Sequence, residues 1–282
     1  MMEDTNDELD ILLSKLQTVE IPFKKDIASV RLKIAAVAEE TSEDRKVIPL
    51  NRVLLGIAAS IVILMVAGWL FLNPANDVSL TNSDTSIKTA ILPDNSEVTL
   101  NAYSEISYDK SWNRTLSLAG EAFFNVTEGK TFTVLTDAGK VQVLGTSFNV
   151  FARDGHFVIA CKTGKVEVTI DKSGYKKVLS PGEMIQSDSK EVKTLLINPK
   201  EIGSWSSGLF QYKGFPVKEV FKEISRQFDV EISVSPKINK KFTGYFNNKK
   251  LENALRSVCL PLNLTFNKTS ENKYSISENI SN

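Results

Sequence analysis

Apolar positions fall into distinct patterns along the chain, and one of them is continuous. Val53–Leu72, VLLGIAASIVILMVAGWLFL, holds twenty residues without a charge. A helix rises about 1.5 Å per residue, so this stretch reaches about 30 Å, the thickness of a bilayer's hydrocarbon core, and predicts a transmembrane helix. Trp69 suits an interface, and Gly56, Ala59 and Ser60 form a small-residue face of the kind that packs membrane helices. A cleaved signal peptide has a shorter apolar region close to a basic N-terminus. Here 52 residues come first, and they open acidic.

Those 52 residues carry a helical period. Leu9, Leu12, Leu13 and Leu16 follow i, i+3, i+4, i+7 spacing, and Asn6 or Asp7 can cap the helix they predict. Pro22 interrupts, and Ile27, Val30, Ile34 and Val37 make a second stripe. Two short amphipathic helices bury little against each other. The stripes therefore predict a helix-in-groove ligand for another protein, ordered on binding. A small helical hairpin or a membrane-lying helix is the other reading.

Beyond the apolar stretch, residues 73–86 are polar and turn-rich and predict a linker. Residues 87–197 switch to short alternating strands with turn signals such as Pro93-Asp94-Asn95, Ala119-Gly120, Asp154-Gly155 and Pro181-Gly182. Val166, Val168 and Ile170 share one strand face. About a dozen such strands predict an all-β roll or sandwich.

After a second linker at 198–207 the period changes again. Val217, Val220, Phe221, Ile224, Phe228, Val230 and Ile232 repeat the offsets of Leu251, Ala254, Leu255, Val258, Leu262, Leu264 and Phe266. Each set begins as a helix face and ends as a strand. Tyr212 and Phe246 precede their sets by five residues and belong on preceding strands. Residues 208–279 thus predict a small α+β domain of two tandem strand–helix–strand units.

Charge orients the chain. Arg45, Lys46 and Arg52 lie in the fifteen residues before the apolar stretch, and the fifteen after it hold no Lys or Arg. Basic flanks stay cytoplasmic, so residues 1–52 are expected inside and the C-terminal part outside. The whole chain balances 34 basic against 34 acidic residues, and residues 1–52 hold 8 against 11. A net-acidic inner segment argues against direct nucleic-acid binding and suits docking to a basic partner.

Candidate chemistry is sparse. With one histidine, His156, and two dispersed cysteines, Cys161 and Cys259, common zinc sites and His-dependent triads are not expected. Both cysteines sit among apolar residues, where a free thiol packs as a small hydrophobe. Glu121 beside Gly120 is an isolated acid, and a lone Glu after a turn reads as a surface or capping residue. No catalytic, cofactor or metal site is predicted, and the chain is not expected to be an enzyme.

Several motifs occur in order. RTLSLAGEAFFNV (Arg114–Val126) is similar to the "R-x-L-x-L-x-G-E-A-x-F-x-V" strand pair of the FecR family of single-pass anti-sigma factors. VLGTSFNV (Val143–Val150) is similar to that family's "V-L-G-T-x-F-N-V". Gly164–Val168, Leu179–Glu183 and Trp205-x-x-Gly208 with Phe210 continue the order. The C-terminal region resembles the short N-terminal domain of secretins and TonB-dependent receptors. Gly145 and Gly182 permit turns, and Phe123, Phe148 and Phe151 are expected in or near the core.

The resemblance implies a multidomain membrane protein. Its parts are a short α-helical cytoplasmic sigma-factor-binding segment (1–52), one transmembrane helix (53–72), a linker (73–86), an all-β periplasmic domain (87–197), a second linker (198–207) and the C-terminal α+β domain (208–279). Implied partners are an extracytoplasmic-function sigma factor, held through Leu9, Leu12, Leu13, Leu16, Ile27, Val30 and Ile34, and the signalling domain of a TonB-dependent outer-membrane receptor. Envelope proteases are a further expected partner, because a lone helix transmits little torque and a cut frees its inner end. Residues 1–52 lack any Trp, so no tryptophan-rich sigma-binding motif is present. The alternative is an anchored β-domain adaptor that binds carbohydrate or protein without signalling inward.

Overall fold

A computed structural model describes residues 31, 59–66, 77–188 and 191–279. The chain divides into two compact units, 1–74 and 75–282. In the first, Ala59–Val66 is helical, and Ile61 to Val66 are 48–70% exposed. Among the described residues no helix is long and apolar enough to cross a membrane. The rest of the 53–72 stretch, Gly56 included, lies outside the described residues, as do Leu9, Leu12, Leu13, Leu16, Ile27, Val30 and Ile34. Ala59 and Ser60 are exposed on the described helical turns.

The second unit begins with thirteen strands among the described residues. They are β1 (Asp77–Asn82), β2 (Lys88–Ile91), β3 (Glu97–Leu100), β4 (Ser104–Asp109), β5 (Thr115–Asn125), β6 (Phe132–Thr136), β7 (Gly139–Val143), β8 (Ser147–Arg153), β9 (His156–Cys161), β10 (Val166–Ile170), β11 (Tyr175–Leu179), β12 (Glu183–Ser187) and β13 (Val192–Leu196). Strand β1 falls inside the stretch expected to be linker and pairs antiparallel with β4 along its whole length. Only Val78 and Leu80 mark it in the sequence. Two apolar residues among polar turn formers are too few to show a period of two, yet Leu80 packs on the core.

Strand β5 organises the β domain, because it belongs to two sheets. Its first half pairs with β4 and, in parallel, with β6; its second half pairs with β3 and β8. The sheets run β1-β4-β5-β6-β7-β10-β11 and β2-β3-β5-β8-β9-β12-β13. The Ala119-Gly120 pair, expected as a turn, lies inside this strand. Gly120 adopts φ +118°, and a Cβ there would stand 2.6 Å from Ser104 Oγ. A backbone that only glycine enters freely lets the strand bend from one sheet into the other. The enclosed layer is apolar: Phe124, Phe132, Phe148, Leu116, Val134 and Ile159 are all 0–1% exposed. Phe124 stacks on Phe148 with centroids 5.1 Å apart.

The connection to the next domain is not a free tether. Residues 198–207 form two 3-10 turns, Pro199–Glu201 and Ser204–Ser207, and bury Ile202 and Trp205. Then come β14 (Leu209–Pro216), α1 (Val217–Phe228), β15 (Glu231–Val234), β16 (Lys241–Asn247), α2 (Leu251–Cys259), β17 (Leu264–Ser270) and β18 (Lys273–Glu278). The two strand–helix–strand units are present, but their strands interleave. β14 pairs with β16, while β15 runs parallel to β18, which is antiparallel to β17. The helices form because each offers one apolar face: Val217, Val220, Phe221 and Ile224 are buried on α1, and Ala254, Leu255 and Val258 on α2. Pro216 sits at the N-cap of α1, where its missing N–H costs nothing, and Asp229 ends the helix in the left-handed region at φ 51°.

This domain covers the outer face of the sheet containing β8, β9 and β12. Phe215 packs edge-on against Phe151 at 5.9 Å and lies 5.3 Å from His156. Phe123 and Val158 join the same apolar cluster, and Ala160 and Met184 meet Ile202. The result is three layers: one sheet, the second sheet, and the α+β domain laid over it. Phe148 is therefore core, whereas Phe123 and Phe151 belong to the seam between domains.

Candidate functional site at the interdomain seam

At the centre of this apolar seam lies a buried polar cluster. Strand β5 supplies Glu121, the β3–β4 connection Asn101, and β8 both Asn149 and Arg153; α1 supplies Glu223, Arg226 and Gln227. Glu121 is 8% exposed and Glu223 0%. A lone surface carboxylate was the expectation for Glu121, and the structure overturns it. The α+β domain covers the face of β5 from which Glu121 projects.

The hydrogen bonds are directional. Asn101 Nδ2 donates to Glu121 Oε2 at 2.8 Å and to Glu223 Oε1 at 3.1 Å, so one amide bridges two carboxyl groups from two domains. Gln227 Nε2 donates to Asn101 Oδ1 and Glu223 Oε1, both at 2.9 Å. Asn149 Nδ2 donates to Glu121 Oε1 at 2.8 Å, and its Oδ1 accepts from Trp205 Nε1 at 2.8 Å. The indole N–H only donates, so Trp205 fixes the orientation of the Asn149 amide. Arg226 Nε meets Glu223 Oε2 at 2.9 Å.

Charge is less completely satisfied. Arg153 Nη1 stands 3.8 Å from Glu223 Oε2, an ion pair too long for a hydrogen bond, and its Nε and Nη1 have no hydrogen-bond partner. Burial lowers the pKa of Arg153. Burial, and then the Glu223 charge, push the Glu121 carboxyl up to about 7, against the Asn149 and Asn101 hydrogen bonds and the charge of Arg153. At the rim Asp154 pairs with Lys222 and Arg226, each at 3.4 Å, and Tyr103 Oη donates to Asp229 at 3.2 Å. Beside the cluster a cleft of about 420 Å³ is lined by Glu121, Asn149, Phe151, Met184, Tyr212 and Tyr245 among others. The cluster joins domains: acceptors meet donors across the seam, and no nucleophile–base pair is aligned in it.

Cys161 and Cys259 are buried free thiols in separate domains. Among the described residues no three His, Cys, Asp or Glu side chains stand together as a metal-ligand set. Sequence reasoning missed Asn101, Arg153, Glu223 and Gln227. For Glu223 the signal was negative, since a charged residue on an amphipathic helix reads as solvent-facing; Asn101, Arg153 and Gln227 lie in a strand connection, at a strand end and in a helix's last turn, where polar residues are ordinary. Glu121, Asn149 and Trp205 did lie inside quoted motifs.

The architecture is a two-sheet β domain built on a shared bent strand and capped by an α+β domain of tandem units. The FecR protein family matches residues 79–167, and the FecR C-terminal family matches residues 209–276. Crystal structures of a candidate anti-sigma factor from Parabacteroides distasonis ATCC 8503, at 1.65 and 2.50 Å resolution, are similar at 27% identity with TM-scores of 0.66 and 0.67. The matches cover 71% and 72% of this chain and 99% of that one. No curated protein matches the sequence. The two family matches together span more than half of the chain, which belongs to the FecR family of anti-sigma factors. Membership implies a sigma factor as partner.

Proposed function

We propose that this protein is a single-pass inner-membrane sigma regulator of a Gram-negative bacterium, with its N-terminus in the cytoplasm and its C-terminus in the periplasm. The two consecutive family matches, placed after an uncharged twenty-residue stretch with a basic leading flank, carry the reading. Residues 53–72 cross the membrane as one helix, whose face of Gly56, Ala59 and Ser60 packs against a neighbour. Residues 1–52 hold an extracytoplasmic-function sigma factor through Leu9, Leu12, Leu13, Leu16, Ile27, Val30 and Ile34. The β domain and the α+β domain receive the signalling domain of a TonB-dependent outer-membrane transducer, and the relay controls transcription of nutrient-uptake genes, for iron or glycan.

The α+β domain offers a physical mode of reception. Among the described residues β14 and β16 pair only with each other, and a small sheet with open edges can accept another strand through backbone hydrogen bonds. Envelope proteases complete the relay by freeing the inner segment; signalling that persists in cells lacking them removes that step. A pull-down with residues 1–52 as bait tests the whole reading. Recovery of an extracytoplasmic-function sigma factor is expected, and recovery of none overturns it in favour of an anchored adaptor.

A further inference from the structure

The seam contains an arrangement that anchoring alone does not require. Two carboxyl groups, one from each domain, are bonded to the two hydrogens of a single amide, where Glu121 is 8% exposed and Glu223 fully buried. Arg226 meets Glu223 at 2.9 Å, whereas Arg153 stands 3.8 Å from it, too far for a hydrogen bond, and leaves its Nε and Nη1 unpartnered. Buried charge that is only partly compensated is costly, so a cluster of this kind is poised rather than tight.

We propose that this cluster is a proton-sensitive clasp: α1 is held on the β domain most firmly while Glu121 carries a proton, and the grip loosens as that proton leaves. The inference concerns the coupling of the two domains and stands whether or not the partners assigned above are correct.

Every titratable group packed around Glu121 and Glu223 bears on the sign. From α1 come Glu223 and Arg226, from β8 Arg153, from the turn after β8 Asp154, and from β14 Tyr212; Lys222 reaches only Asp154 at the rim. Trp205 and Ala102 hold the Asn149 and Asn101 amides as donors toward Glu121, which favours its charge. Burial and the Glu223 carboxylate oppose that charge and prevail, raising the seated group from 4.5 to about 7. Between those values the seated state binds more protons than the released one. Seating therefore weakens as pH rises, by at most about tenfold per pH unit, and levels off above the seated value.

The test uses the full chain in detergent micelles with spin labels at Lys172→Cys, in the turn after β10, and Lys249→Cys, before α2. Both positions are exposed, and the native thiols are buried. The expected result is a predominant interdomain distance at pH 5.5 and a second, longer population that grows reversibly between pH 5.5 and about 7 and then levels off. Glu121→Gln should hold the ratio of the two constant from pH 5.5 to 8. Should that variant not fold, Glu223→Gln serves: with the neighbouring charge gone, the transition moves to lower pH. An unchanged wild-type distribution between pH 5.5 and 8 overturns the clasp. So does a pH response that survives in Glu121→Gln or stays in place in Glu223→Gln.

Discussion

Glu121 and Glu223, more than a hundred positions apart in the chain, accept the two hydrogens of one Asn101 amide at 2.8 and 3.1 Å. That shared donor ties a strand of the β domain to a helix of the α+β domain, and it gives Asn101 more weight than its size suggests.

Asn101→Ala should strip a donor from both buried carboxyl groups and an acceptor from Gln227. Each group left unsatisfied costs about 1–3 kcal/mol, so a loss at the upper end of that range or beyond is expected. Urea unfolding of the full chain measures it. Asn101→Asp should be no milder, since it places a third carboxylate among two.

Gly120 is the second place where one residue decides the architecture. Gly120→Val forces a β-branched side chain to φ +118° and toward Ser104 Oγ, so a loss of about 2–4 kcal/mol and a lowered Tm are expected. Gly174, at φ +64° with open space around its Cβ position, is the control. Gly174→Ala should cost about 1 kcal/mol, because only the left-handed backbone is penalised.

These positions show how far the sequence could be read. The period of two in β10 and the repeated helix faces of α1 and α2 were legible, because burying one face of a regular element imposes a regular pattern. Strand β1 was not, because Val78 and Leu80 alone carry its alternation. Nor was the seam. Its apolar members, Phe151 and Phe215, look like ordinary core residues, and Glu223 occupies a helix position where charge normally faces water. Only the docking of one domain on another reverses that meaning, and docking leaves no local period.

Phe124 tests the core. It is fully buried between Phe132 and Phe148, with centroids at 6.0 and 5.1 Å. Phe124→Ala should destabilise the β domain by about 3–5 kcal/mol through lost burial and the cavity left behind, seen as an early thermal transition.

The thiols give a pH prediction. Burial, with the charge of Glu183 adding to it, pushes Cys161 up to about 11, and burial alone pushes Cys259 up to about 12. The thiolate is the reactive form, so at pH 8 on the order of one Cys161 in a thousand is ionised in the folded chain. Aromatic disulfide reagents should label neither cysteine at pH 8 until denaturant is added, when both react. Fast labelling of the native chain would mean that the cores open readily.

The central claim, that this FecR-family chain regulates a sigma factor through its first 52 residues, is tested most directly by co-purification of the full-length protein with its sigma factor. The wild-type chain should bring down an extracytoplasmic-function sigma factor, and Leu12→Asp with Leu16→Asp should abolish that capture without altering membrane insertion. A wild-type chain that captures no sigma factor contradicts the claim; capture undiminished in the double variant contradicts the assignment of the contact to the Leu9–Leu16 stripe.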